Sequence, residues 1–154
     1  MMQALVSIHG ILRWVILIVA IYAIFRAYQG MKSKSVFTSD DNKAGLFYTA
    51  AMDLQLLLGL VLYFAGSRGL EAIKSIGMKE VMGNSFHRFF AVEHISMMII
   101  AVVLVHIGKA KSKKAASDVA KHKAAFWFYL IALILILAAI PWPFKNGFES
   151  IGWF

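Results

Sequence analysis

Four long apolar runs, residues 4–25, 44–65, 89–108 and 124–144, alternate with polar, lysine-rich connections. Each has about the 20 helical residues needed to cross a bilayer. The runs lack the alternation of polar and apolar positions that barrel strands show. Helices, which satisfy their own backbone hydrogen bonds in lipid, are therefore the expected spans. The pattern predicts helices over about 4–28, 44–65, 88–109 and 118–141, forming a single transmembrane domain over residues 1–154. Short connections favour antiparallel neighbours, so the expected fold is an all-α, up-down four-helix bundle integral to the membrane.

Between the second and third runs, "GLEAIKSIGMKEVMGNS" places apolar side chains at Leu70, Ile73, Ile76 and Val81. That spacing suits a short helix lying on the membrane surface. The last run stops in "IPWPF", and Trp142, Trp153 and Phe154 supply an aromatic belt at the same interface.

Charge fixes an expected orientation. Arg26, Lys32, Lys34 and Lys43 follow the first run, and Lys109, Lys111, Lys113, Lys114, Lys121 and Lys123 follow the third. In the middle connection Glu71 and Glu80 offset the basic residues, and the termini are nearly free of Lys and Arg. The positive-inside bias then puts the first and third connections in the cytoplasm and both termini outside. The first run carries Arg13 and lacks a basic leader, so it reads as a retained span rather than a cleaved signal.

Composition agrees with this picture. The chain is 60% hydrophobic, with a mean hydropathy of +0.72, well above soluble domains. Its net charge of +8 sits between apolar runs, which argues for membrane topology rather than nucleic-acid binding. Cysteine is absent, which removes disulfides, thiolate metal sites, c-type haem attachment and cysteine nucleophiles.

Polar side chains inside the spans carry the candidate chemistry. They are His9 and Arg13 in the first, Asp53 and Gln55 in the second, and Glu93, His94 and His106 in the third. His122 opens the fourth. At 1.5 Å per residue His9 lies about 8 Å below the outer end of its span, and His94 about 8 Å below the outer end of its own. Two imidazoles at one depth on parallel helices can hold an iron porphyrin by both axial positions. His106 lies about 18 Å further along the axis, beside His122, and these two form a candidate inner pair. Arg13, one turn from His9, can bind a propionate or pair with Glu93 or Asp53.

Other readings stand beside these. Arg13, Asp53 and Glu93 can form a buried ion-pair network, with the histidines as interhelical hydrogen bonders. His122 in "AKHKAA" can be a solvated interfacial residue, and His87 a spare outer ligand. Met97 and Met98 can pack or supply an axial thioether, and Gln55 with Asp53 can meet a quinone headgroup. Ala20, Ala23, Gly59 and Ala101 can bring helices close or leave room for a flat ring. Glu93, His94 and Asp53 also have the ligand chemistry of a zinc or iron site.

"HGILRW", "RFFAVEH", "HIGKAK", "KHK" and "IPWPF" resemble a family of small bacterial four-helix membrane proteins catalogued as cytochrome b. More distantly the chain is similar to four-helix dihaem cytochromes b, which include superoxide oxidase and the cytochrome b subunits of hydrogenases and formate dehydrogenases. The resemblance implies haem b, one or two groups, held by His9 with His94 and by His106 with His122. It also implies electron exchange with the quinone pool or a redox partner protein at the bacterial inner (cytoplasmic) membrane. In this chain the second span carries no histidine, a departure from the dihaem pattern. The alternative function is a non-redox membrane subunit or assembly partner, including a homo-oligomer, whose buried polar residues lock its helices.

Overall fold

The computed structural model describes residues 1–153, all of whose regular structure is helical. The expected aromatic position Phe154 lies outside the described residues. Four helices are long and apolar enough to cross a membrane: α1 (Met2–Ser33), α2 (Ser39–Ala65), α4 (Ser85–Lys114) and α5 (Asp118–Ala139). A shorter helix, α3 (Leu70–Gly83), joins α2 to α4 where a surface helix was expected. It is broken at Gly77, whose φ of +81° is a conformation that glycine tolerates without strain.

The helix ends extend beyond the apolar runs because local polar groups cap them. Thr38 and Asp41 form a reciprocal capping box, so α2 starts five residues before the apolar stretch. The Asn84 side chain accepts from the amides of Phe86 and His87 at 3.0 and 3.1 Å to open α4. Ser117 caps α5 in the same way. α4 then contains one π-helical turn over Phe89–Glu93. The i→i+5 bonding of a π turn loosens the carbonyl ladder there, and the Tyr63 hydroxyl of α2 donates to the Ala91 carbonyl at 3.2 Å.

Each long helix packs against two others. α1 contacts α2 and α5, and α4 contacts α2 and α5. The shared interior holds Ile16, Ala20, Tyr48, Met52, Ala101, Val105, Tyr129, Ala132 and Ile136, all nearly fully buried. Ala20, Ala101 and Ala132 are completely covered, and their small side chains let backbones approach where apolar solvent gives little drive for association. The outward faces are apolar as well: Ile18, Leu57 and Ile134 are 69%, 62% and 57% exposed. Apolar groups inside and outside are what lipid as solvent selects.

Candidate functional site

The interior opens at one end of the four helices. There the four long helices enclose a cavity of about 340 Å³, within the usual range for small-molecule sites. Val6, Leu56, Leu60, Met98, Ile136 and Ile140 give it apolar walls. Polar groups on its surface include His9, Arg13, Gln55, Arg68 and His94, with Gln3, Tyr63 and Ser67 beside them.

His9 and His94 meet across this space. Their ring centres are 6.2 Å apart and their planes cross at 66°. One metal ion bonded to a nitrogen of each ring, at about 2.0–2.1 Å, places the ring centres about 6 Å apart. Gly59 supports the arrangement from α2, because a Cβ at that position would stand 3.3 Å from Cε1 of His9.

The His94 ring is oriented by an unusual acceptor. Its Nδ1–H donates to the Ala139 carbonyl at 2.7 Å, which leaves Nε2 as a bare lone pair. The sequence explains why that carbonyl is free. In a helix Ala139 would accept from the amide four residues on, but position 143 is proline and has no N–H. Leu137 faces Pro141 in the same way, and its carbonyl accepts instead from Trp142 Nε1 at 2.9 Å. Two prolines at alternate positions thus release two carbonyls, one of which aims a histidine.

Several polar atoms around the cavity are buried without partners: His9 Nδ1, Arg13 Nε and Gln55 Oε1. Buried polar groups are normally satisfied, so these atoms suit a ligand. The Gln55 and Arg13 side chains are anchored at their other ends. Gln55 Nε2 donates to the His9 carbonyl at 2.9 Å and ties α2 to α1. Arg13 Nη2 donates to the Trp153 carbonyl at 2.6 Å, and Trp14 Nε1 reaches the same oxygen at 3.1 Å. The Arg13 guanidinium also lies over the Trp14 and Trp142 rings, 5.4 and 5.7 Å from their centres. Arg68, absent from the sequence expectations, stands over Phe86 and Phe90 at the cavity wall.

The expected charge network among Arg13, Asp53 and Glu93 does not form. Glu93 pairs with Arg88 at 2.7 Å, Asp53 pairs with His106 at 2.7 Å, and Arg13 turns to a backbone carbonyl. A one-turn π-helix accounts for the first substitution. The wider π turn brings residues five apart closer to one face, whereas an α-helix would set Arg88 and Glu93 about 140° apart.

His106 and His122 likewise go to different helices. The His106 ring meets Asp53 of α2 on the outer surface, with half of each side chain exposed. His122 is buried against Gly30 of α1 and the Phe37 ring, whose centre is 5.0 Å away, and neither of its ring nitrogens has a partner. Close packing therefore replaces both the inner ligand pair and the solvated His122 that the sequence allows. His87 packs on Phe86 outside the cavity, while Met98 lines it and Met97 does not. Among the described residues no three His, Asp or Glu side chains cluster closely enough to hold a metal ion, so Glu93, His94 and Asp53 do not form the three-ligand site.

In comparison with known proteins, no family model, no curated protein and no solved structure matches this chain.

Proposed function

We propose that the chain is a membrane-embedded b-type cytochrome that holds one haem b between His9 and His94 and passes electrons between the quinone pool, or a protein partner, and an acceptor. The observation that carries this reading is the 6.2 Å separation of the two imidazole centres across an apolar cavity. The partnerless His9 Nδ1, Arg13 Nε and Gln55 Oε1 support it, as does the His94 Nδ1–H bond to a carbonyl, a common device for orienting metal-bound imidazole.

Haem supplies a one-electron couple when bound. The chain's own contributions are distinct. His9 and His94 offer imidazole nitrogens on either side of the cavity, the Ala139 carbonyl fixes the His94 tautomer, and Arg13 and Arg68 offer cationic donors for carboxylates. The apolar walls exclude water. In this reading the helices form an up-down bundle in the bacterial inner membrane, with the cavity near the outer face and both termini outside, as the basic connections favour.

The test is an optical spectrum of the protein purified in mild detergent and titrated with haem. A low-spin bis-imidazole spectrum at one haem per chain is expected, lost in His94→Ala and in His9→Ala and kept in His106→Ala. Failure to bind haem removes the cytochrome reading. Low-spin haem in both single variants removes the ligand assignment.

A non-redox subunit locked by polar contacts is the second reading, and the paired Asp53 and His106 between α2 and α4 favour it. It predicts a colourless protein.

A further inference from the structure

Asp53 sits near the midpoint of α2, and His106 faces it from α4 at 2.7 Å. The pair is not enclosed. The His106 side chain is 50% exposed and that of Asp53 is 48% exposed, and at helical spacing from them Leu46, Leu57, Ile99 and Val103 are exposed as well. Water would screen such a pair on a soluble protein, whereas hydrocarbon offers it no hydrogen bonds.

We propose that this face is an interface between two copies of the chain, built around the Asp53–His106 pair. The donor and acceptor pattern identifies the occupant. A net charge in hydrocarbon is costly, so the pair is either imidazolium with carboxylate or imidazole with carboxylic acid. Both forms leave the same unused groups, an N–H at His106 Nδ1 and a bare oxygen on Asp53. The pair thus presents one donor beside one acceptor.

A second copy related by a two-fold axis along the membrane normal presents the same two groups at the same depth. Facing surfaces related by that axis reverse their lateral order, so His106 of one copy stands opposite Asp53 of the other. The surface is therefore complementary to itself, which is the requirement of an isologous interface. Polar pairs of this kind associate helices where apolar surface alone does not. The haem reading plays no part in this argument.

The chain contains no cysteine, so a single introduced thiol reports without background. Val103 lies one turn from His106 on this face, and Ile21 lies on the outer surface of α1; they are 50% and 59% exposed. Val103→Cys is expected to give a covalent dimer on mild oxidation in native membranes, and Ile21→Cys is expected to remain monomeric. Adding Asp53→Ala to Val103→Cys should lower the dimer yield about tenfold, since two interhelical hydrogen bonds are lost at once. Equal yields from Val103→Cys and Ile21→Cys would overturn the proposal, leaving lipid or another membrane-soluble molecule as the cover. Because those two variants leave every polar group in place, their comparison holds even if Asp53→Ala misfolds.

Discussion

His94 of α4 donates its Nδ1–H to the carbonyl of Ala139, the last residue of α5, at 2.7 Å. The acceptor is available because Pro143 brings no amide to compete for it, and Pro141 stops the helix just before. The double variant Pro141→Ala/Pro143→Ala lets α5 continue and gives Ala139 an intrahelical donor. Haem affinity is expected to fall about 10- to 100-fold, the usual range for losing a metal ligand's supporting partner. A haem titration followed by absorbance measures it, and unchanged affinity would show that the carbonyl does not orient the ring.

Gly30 gives His122 its space, for a Cβ at position 30 would run into the imidazole ring. Gly30→Ala is expected to destabilise the protein by about 1–3 kcal/mol through overpacking. Gly83 meets nothing within 4 Å of its added Cβ, and Gly83→Ala serves as the control with an effect near zero. Denaturant unfolding in detergent separates the two.

Arg13 and the chain near Trp153 form one unit, with Trp14 sharing the same acceptor. Removing residues 151–154 deprives a buried guanidinium of its carbonyl and should cost about 1–3 kcal/mol. Trp14 also loses its stacked neighbour Trp153, 6.4 Å away, so its fluorescence should shift with the unfolding midpoint. An unmoved midpoint would mean that the cation is satisfied without that segment.

The Arg88–Glu93 pair is short but open, with 36% and 42% of the side chains exposed. Glu93→Gln is expected to cost less than about 1 kcal/mol and to leave the haem spectrum intact. Loss of the spectrum in this variant would bring Glu93 back as a site residue.

The spans were legible because apolar runs of bilayer length have few other outcomes in a chain without cysteine or strand alternation. The meeting of His9 and His94 was legible too, since counting residues along an axis needs only a constant rise. Charge partners were not. Pairing depends on azimuth, and a π turn, which no residue pattern here marks, changes the azimuth of the residues before it. Glu93, one of two carboxylates offered as partners for Arg13, instead meets Arg88 across that turn. His106 and His122 show the same limit from another side: similar depth gives no information about which neighbouring helix each ring faces. The free Ala139 carbonyl, by contrast, was written plainly in the spacing of Pro141 and Pro143 and needed only a count of four.

The π turn at Phe89–Glu93 also separates two things that a regular helix would keep geared together. With one residue deleted from the turn, the segment before it, including Arg88 and Phe86, would swing by about 100°. His94 would stay beneath Ala139. The segment on which the cavity residue Arg68 rests, through Phe86, and the His94 imidazole thus run on independent counts along the same helix. A single deletion there would re-aim the support of Arg68 while the His94 ring keeps its place.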